Sequence, residues 1–358
     1  MIGDVMELKE IKARFRACLL GGAVGDALGA SVEFDSLARI RAQYGEAGVR
    51  DYGPDPLSEG KITDDTQMTL YTAAALLDDG AGVLDGHGNE AMLGRSLCSA
   101  YLRWLRSQGP ASNVRTMSGR ATGLLEGWPG MRESRAPGLT CLSALASLTS
   151  LEACTAQNDR KGCGGVMRVA PVGLWSLGSP APAAMACTWG RVAAAITHGH
   201  PTGYLAAAAT AVIVEELARH QSLHEALRVA DQCLAADPES GETRLALAAA
   251  VQLAQKGVAS AECLETLGGG WVAEEALAIA VYCALVAPDF ESGVILAANH
   301  SGDSDSTASV AGQFLGLMHG LAAIPQRWLT TLELRELVVE TADALAAQVA
   351  ERGGLDRM

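Results

Sequence analysis

The 358-residue chain carries 27 Lys and Arg against 41 Asp and Glu, for a formal net charge of -14 at pH 7, and no segment is rich in basic residues. This balance excludes broad attraction to nucleic acid or to an anionic membrane surface. Hydrophobic residues make up 49% of the chain but aromatic residues only 4%, so the core must consist mainly of Ala, Leu and Val. Such a composition favours closely packed helices.

The first predicted helix carries a stripe of glycines. Gly21, Gly25 and Gly29 recur at one-turn spacing, which predicts the close approach of another helix. Asp26, among these glycines, can hydrogen-bond the end of a neighbouring helix, whereas Glu33 follows in a loop and is free to reach a site. The residues before this helix are acidic, unlike the basic and then apolar start of a secretory signal, and this predicts a cytoplasmic protein.

The next predicted helix begins within Ile62–Gln67, which reads ITDDTQ. Thr63 or Asp64 can serve as its N-cap, and Gln67 stands at capping-box spacing from Asp64. Asp64 and Asp65 in the first turn also complement the helix dipole. Taken alone, this segment favours an ordinary capped helix, and half of a metal site is the alternative.

The loop Lys161–Arg168, KGCGGVMR, has little side-chain bulk. Consecutive backbone N–H groups in such a loop can cradle a diphosphate, although an ordinary glycine turn is the alternative. The loop lacks the GK[ST] ending of a P-loop, which disfavours hydrolysis of nucleoside triphosphates.

The nine cysteines are odd in number, and none forms a CxxC pair or a local cluster with histidine. This pattern argues against a disulfide framework and against a structural zinc site. Cys18, Cys98, Cys187 and Cys283 lie in apolar helical segments and are predicted to be small buried side chains in a reducing compartment.

A second acidic cluster stands near the end of the chain. Asp303 and Asp305 are two residues apart and are followed by Ser306 at the start of a predicted helix. Alternate acids with an adjacent hydroxyl supply hard oxygen ligands of the kind that magnesium or manganese requires. If this helix start converges with Asp64 and Asp65, the four carboxylates repel each other strongly unless one or two divalent cations bind between them.

Helical periodicity continues through the second half of the chain. Apolar residues recur at helical spacing at Leu223, Leu227, Ala230 and Leu234, and again at Leu334, Val338, Leu345 and Val349. Gly312, Gly316 and Gly320 form a second stripe that predicts close packing. Alternating strand patterns are almost absent, and no linker or fixed-period repeat interrupts the helices. The sequence therefore predicts an all-α fold, with a single compact multi-helical domain over residues 1–358.

Five segments stand in an order that is specific as a set: GGAVGDALGASVEF, ITDDTQ, GCGGVMRVAPVGL, ITHGHPTGYLAAAA and NHSGDSDSTASVAGQFLGLMHG. Over about residues 12–322 the chain resembles the ADP-ribosylglycohydrolases. The resemblance implies an all-α fold with two divalent cations, Mg²⁺ or Mn²⁺, in a cleft that binds ADP-ribose. It also implies hydrolysis of the glycosidic bond between ADP-ribose and a modified protein side chain, with arginine as the expected acceptor.

The resemblance also implies roles for individual residues. As metal ligands it implies Thr63, Asp64 and Asp65 for one ion, Asp303 and Ser306 for the other, and Asp305 for both. Glu33, Asp64 and Asp303 are the candidates for acid/base catalysis. Contacts to the substrate are implied for Lys161, Gly162, Cys163, Gly164, Gly165, Val166, Met167, His198 and Trp271. His198 can instead satisfy backbone carbonyls, and Trp271 can be a core residue rather than a platform for the adenine.

Two residues depart from the family pattern. Ser306 stands where many relatives have threonine, which keeps the hydroxyl but loses the methyl group that fixes its rotamer. Cys163 stands where the loop often has asparagine, which removes one side-chain contact.

Two other functions remain open at this stage. A catalytically silent relative would bind ADP-ribose without cleaving it, but the presence of acids in both clusters favours the enzyme. An immunity protein would neutralise an ADP-ribosylating toxin, either by the same hydrolysis or by blocking it. The expected partners are accordingly an ADP-ribosylated protein, ADP-ribose as product, and such a toxin.

Overall fold

The computed structural model describes residues 6–53, 59–84, 90–110, 112, 114–117 and 123–352. Within these ranges the structure contains α-helices, short 3-10 turns and no β-strand, which confirms the all-α prediction. The helices are α1 Leu8–Gly29, α2 Leu37–Tyr44, α3 Asp64–Leu84, α4 Glu90–Ser107, α5 Leu139–Ala146, α6 Ala170–Ser176, α7 Pro182–Ala195, α8 Pro201–His220, α9 Leu223–Ala235, α10 Gly241–Ala254, α11 Ala261–Glu265, α12 Ala273–Val286, α13 Phe290–Ala298, α14 Ser304–His319, α15 Gln326–Thr331 and α16 Arg335–Arg352.

Helices α1 and α14 form the central pair of the fold and cross at their glycines. A Cβ atom on Gly25 would stand 2.0 Å from the carbonyl oxygen of Ala308, and one on Gly29 would stand 2.2 Å from that of Ser304. Gly312 faces the backbone of Gly21 in the same way. Because rising numbers on α1 meet falling numbers on α14, the two helices are antiparallel. The end of α1 therefore lies beside the start of α14.

Gly320 does not belong to this stripe, contrary to the prediction. It follows the last residue of α14 with a φ of +80°, and a Cβ atom there would meet no described residue within 4 Å. Its N–H group bonds the carbonyl of Gly316 at 2.8 Å. Gly320 thus ends the helix, where a left-handed backbone conformation favours glycine.

The remaining helices pack around the central pair. Helices α13 and α16 flank it, α3 pairs with α4, α7 lies on α8, and α12 connects α10 to α14. The predicted apolar stripes lie in α9 and α16, the second of which begins one residue after Leu334. Alanine, leucine and valine make up most of the buried core, with Trp104, Trp175 and Trp328 as its largest side chains. Of the helices described, none combines the length and the apolar character needed to cross a bilayer.

The cysteine prediction is wrong at one position. Cys187 on α7 and Cys233 on α9 form a disulfide across 46 residues, with their Cα atoms 6.3 Å apart. Cys18, Cys98 and Cys283 are free and buried, as predicted. Local sequence could not reveal the bond, because the packing of α7 and α9 brings the two cysteines together.

Candidate active site

The start of α3 is capped by a residue from another helix. Both oxygens of Asp26 on α1 accept the backbone N–H of Thr63 at 3.0 Å, and Oδ2 also accepts the N–H and the hydroxyl of Thr66. Asp26 therefore bonds a neighbouring helix end, as the sequence suggested. The capping box proposed for Gln67 is wrong, because its amide donates to the carbonyls of Gly130 and Glu133 instead.

The two acidic helix starts converge. Carboxylate oxygens of Glu33, Asp303 and Asp305 lie within 4.8 Å of one another. From the other cluster, Asp65 accepts the hydroxyl of Ser306 through Oδ1 at 3.3 Å. Asp64 accepts the N–H of Gly138 at 3.2 Å. The antiparallel pairing of α1 and α14 brings Glu33 to this point.

These acids line a cleft of about 420 Å³. From the two acidic clusters and the loop after α1, the cleft is lined by Glu33, Asp64, Asp65, Asp303 and Asp305, together with the hydroxyl-bearing Ser306. Of the residues predicted to contact the substrate, those that line the cleft are Gly162, Cys163, Gly164, Met167, His198 and Trp271. The structure thus brings most of the predicted site residues together around one space.

Four predicted residues do not line the cleft. Thr63 lies just outside it, and its hydroxyl accepts the N–H of Asp65 at 3.3 Å. Lys161 turns away and pairs with Glu242 and Glu274. Gly165 packs on α7, and Val166 is fully buried.

The acids that line the cleft have raised pKa values. Burial, followed by the charge of Asp305, raises the pKa of Asp64 and Asp65 well above the usual range. Burial, with the neighbouring Asp303 next, does the same for the pKa of Asp305. Burial and then the charges of Asp305 and Asp26 raise the pKa of Glu33 to about 9. The common cause is the removal of several like charges from water into one place.

Divalent cations suit this donor set. Asp65 is 2% exposed, and its Oδ2 has no hydrogen-bond partner among the described residues. A buried carboxylate oxygen without a partner is costly unless a cation neutralises it. Carboxylates and a hydroxyl are also the ligands that magnesium and manganese prefer. The residues present therefore fit a metal centre.

A buried chain of polar groups holds His198 in the wall of the cleft. Arg168 donates to the hydroxyl of Thr197 at 2.7 Å, and that hydroxyl lies 2.8 Å from Nδ1 of His198. Burial, followed by the charge of Arg168, lowers the pKa of His198 to about 3. The imidazole is therefore neutral. Its Nε2 faces the glycine loop, since a Cβ atom on Gly162 would stand 3.4 Å from it.

The segment before α12 ties the glycine loop to α14. Gly269 accepts the N–H of Asp303 at 2.8 Å, and the carbonyl of Trp271 accepts the N–H of Cys163 at 3.3 Å. The side chain of Trp271 is 43% exposed and stacks on Phe34, with ring centroids 5.3 Å apart. One segment thus positions Asp303, the glycine loop and an aromatic side chain in the wall of the cleft.

A model of the ADP-ribosylglycohydrolases matches residues 7–354 of the chain. The chain belongs to the ADP-ribosylglycohydrolase family. This family hydrolyses linkages to ADP-ribose and depends on metal ions.

Two relatives and one solved structure show the extent of the likeness. The ADP-ribosyl-[dinitrogen reductase] glycohydrolase of Rhodospirillum rubrum is 28% identical over 327 residues, which cover 90% of this chain and 91% of the relative. The ADP-ribosylarginine hydrolase Tri1 of Pseudomonas putida is 28% identical over 350 residues, covering 96% and 81%. A solved structure titled ADP-ribosylglycohydrolase-related protein complex has a TM-score of 0.64 at 28% identity and covers 95% of this chain and 99% of that one.

Two exposed residues of the cleft, Phe34 and Leu139, were not predicted as site residues from the sequence of this ADP-ribosylglycohydrolase. Phe34 is 72% exposed with a φ of +70°, and Leu139 at the start of α5 is 82% exposed. Both line the cleft. The position of Phe34 directly after Glu33 was an available signal, but exposure of an apolar side chain cannot be read from its neighbours in sequence.

Proposed function

We propose that this protein is a divalent-cation-dependent hydrolase that removes ADP-ribose from arginine side chains of proteins. The observation that carries the proposal is the convergence of two acidic helix starts on one cleft, where an oxygen of Asp65 is buried and has no hydrogen-bond partner among the residues that the structure describes. The name of the Pseudomonas relative, an ADP-ribosylarginine hydrolase, supports arginine as the acceptor.

The metal centre uses both clusters. Asp64 and Asp65, with Thr63 beside them, would hold one cation, and Asp303 and Ser306 would hold the other, with Asp305 between them. Cations at such a site orient the ribose hydroxyls and make a water molecule easier to deprotonate. Oxygen donors suit Mg²⁺ and Mn²⁺ alike.

Glu33 is the main candidate to move a proton. It is half-buried on the loop after α1, beside Asp305, whereas the other acids belong to helix starts. A carboxyl in this position can transfer a proton to or from the scissile bond. Asp64 and Asp303 are secondary candidates for proton transfer, since both would also bind the cations.

The opposite wall would bind ADP-ribose. The backbone of Gly162, Cys163 and Gly164 offers a surface without bulky side chains to the diphosphate. If the hydroxyl of Thr197 donates to Nδ1 of His198, Nε2 carries the hydrogen and can donate to a phosphate oxygen. The exposed pair of Trp271 and Phe34 would receive the adenine by stacking.

The test is release of ADP-ribose from arginine-ADP-ribosylated protein, with and without Mg²⁺. We expect release that requires the cation and is lost in Asp303→Ala, whereas Asp231→Ala, which changes an exposed acid paired with Arg244, keeps it. If the arginine-linked substrate stays intact and a serine-linked sample is cleaved, the acceptor is serine and not arginine. Binding of ADP-ribose without any release would identify a silent binder. The hypothesis of an immunity protein that neutralises a toxin stays a prediction.

A further inference from the structure

Two free cysteines outside the cleft lie side by side. Cys98 is on α4 and is fully buried, whereas Cys154 is half-buried in the segment between α5 and the glycine loop. A Cβ atom on Gly94 would stand 3.2 Å from Sγ of Cys154, and Gly94 precedes Cys98 by one turn on the same helix. The two thiols hydrogen-bond each other. The fold thus brings two thiols into direct contact.

The two thiols differ in their access to solvent. Cys154 lines a surface cavity of about 760 Å³ between α4, α7 and the segment that precedes the glycine loop. Cys98 does not line this cavity and has no exposed surface. A small solute in the cavity therefore meets Cys154 first, and Cys98 lies behind it.

The surroundings of Cys154 favour its thiolate. The hydrogen bond with Cys98 is the main cause that lowers the pKa of Cys154 to about 7; burial and the charge of Glu152 oppose the shift, and the charge of Arg95 adds to it. The same hydrogen bond raises the pKa of Cys98, as expected when Cys98 donates. A thiolate that is partly exposed and lies near a positive charge is typical of cysteines that react with oxidants.

Other free cysteines of the described chain differ from Cys154. Burial raises the pKa of Cys18, Cys141 and Cys283, and all three are almost inaccessible to solvent. Cys263 on α11 is half-buried like Cys154, but its thiol lies against the hydroxyl of Tyr282. Access, a nearby thiol and a lowered pKa therefore coincide at Cys154.

We propose that Cys154 is a site of oxidation by hydroperoxides, with Cys98 as the residue that converts the product into an intramolecular disulfide. The thiolate of Cys154 attacks the peroxide, so that an S–O bond forms, the O–O bond breaks and a sulfenic acid results. Sγ of Cys98 then attacks the oxidised sulfur. The S–S bond forms, the S–O bond breaks, and the thiol proton of Cys98 leaves with the hydroxide as water. Two electrons pass from the two thiols to the peroxide, and a dithiol reductant reverses the reaction.

The test is mass spectrometry of protein that has been exposed to hydrogen peroxide and then alkylated. We expect wild-type protein to yield a peptide pair linked through Cys98 and Cys154 that disappears after treatment with dithiothreitol. In Cys98→Ser the reaction should stop at the sulfenic acid, because the hydroxyl can donate to Cys154 but cannot form a disulfide. Dimedone should then label Cys154 at least about tenfold faster than Cys263.

Wild-type protein also provides a test that needs no variant. At pH 7, iodoacetamide should alkylate Cys154 at least about tenfold faster than Cys263, the matched control cysteine. In Cys154→Ser, Cys98 should stay reduced in peroxide, because it has no exposed surface. Equal rates for Cys154 and Cys263, or the absence of the linked peptide pair from oxidised wild-type protein, would overturn the proposal. None of these measurements uses hydrolysis, so the proposal stands or fails separately from the proposed function.

Discussion

Glu33 lies in the loop just after the end of α1, beside the start of α14. Its carboxylate lies with those of Asp303 and Asp305 but belongs to a loop, so its position suits proton transfer better than rigid ligation. Glu33→Gln keeps the size of the side chain and removes the titrating group. We expect kcat for ADP-ribose release to fall about 10²-fold or more.

Binding measurements separate this role from a structural one. Affinity for ADP-ribose should change little in Glu33→Gln, because the glycine loop and the aromatic wall are intact. Glu46→Gln, which alters a highly exposed acid after α2, should leave kcat unchanged. Unchanged kcat in Glu33→Gln would assign the proton transfer to another residue.

Glu215 on α8 is a buried acid outside the site. Burial raises its pKa to about 8; the charge of Arg219 opposes this shift and that of Glu216 adds to it. Because the pKa is raised on folding from about 4.5, the native state binds more protons between these values. Its stability is therefore greatest below about pH 4.5 with respect to this group, and is lost as the pH rises through about 8.

Glu215→Gln should remove this dependence. The unfolding free energy of the variant minus that of wild-type protein should be larger at pH 9 than at pH 5. The increase should be on the order of a few kcal/mol, because one pKa unit corresponds to about 1.4 kcal/mol. Denaturant unfolding at both pH values measures the difference. Glu225→Gln, at an exposed acid that pairs with Arg228, should show no such gain at high pH. Parallel pH profiles for wild-type protein and Glu215→Gln would contradict the assignment.

At individual positions the sequence was informative where the chemistry is local. Adjacent acids and hydroxyls predicted a metal site because they are hard oxygen donors, although a helix cap also accounted for Asp64 and Asp65. The partners of Gln67 and Cys187 were not predictable, since each contacts residues far away in the chain. Asp26 was identified only as able to bond a helix end, and the fold decides which end.

Among the elements, the antiparallel pair of α1 and α14 determines the geometry of the site. The glycine stripes allow the two backbones to touch, and this contact places Glu33 beside Asp305. Glycine periodicity predicted close packing, and the structure shows that the two stripes face each other. The sequence did not indicate that the two helices would be antiparallel. Gly320 also has the one-turn spacing of the glycine stripe, although it follows the last residue of α14 and ends that helix.

Gly25→Ala tests the importance of this contact. A Cβ atom would stand 2.0 Å from the carbonyl oxygen of Ala308, so the helices must separate. We expect a loss of at least about 1–3 kcal/mol in the free energy of unfolding, together with weaker cation binding, because the start of α14 moves. Urea unfolding and a Mg²⁺ titration measure the two effects.

Gly241→Ala provides the comparison. Gly241 begins α10, and in the described part of the chain a Cβ atom there would meet nothing within 4 Å. The substitution should be neutral or slightly stabilising, as alanine favours helix. Equal losses of stability in the two variants would show that the effect comes from backbone propensity and not from the contact between helices.

At the scale of the whole molecule, the acidic cleft lowers the stability of the folded protein, because the proposed function requires several acids in one buried place. Several carboxylates are buried together, and among the described residues no positive side chain is a main cause that lowers their pKa values. The helices that hold them are fixed by the alanine-rich core, so the acids cannot move apart. The all-α class followed from composition and periodicity, whereas the prediction of a single domain over residues 1–358 remains untested.

Divalent cations should therefore stabilise the folded protein. A ligand at 100 times its dissociation constant adds about 2.7 kcal/mol, which for a chain of this length corresponds to a few degrees in Tm. We expect Mg²⁺ or Mn²⁺ to raise Tm of the wild-type protein after treatment with a chelator, while a monovalent salt at equal ionic strength should not.

Asp305→Asn should separate the repulsion between the clustered acids from their binding of the cation. Asp305 lies between both groups of acids, and its charge raises the pKa of Asp64, Asp65 and Glu33. Removing that charge relieves repulsion, so Tm without divalent cations should exceed that of wild-type protein. The same change removes a shared ligand, so Mg²⁺ should no longer raise Tm and hydrolysis should be lost. A variant that is less stable than wild-type protein in chelator and still responds to Mg²⁺ would mean that Asp305 serves the fold and not the cation.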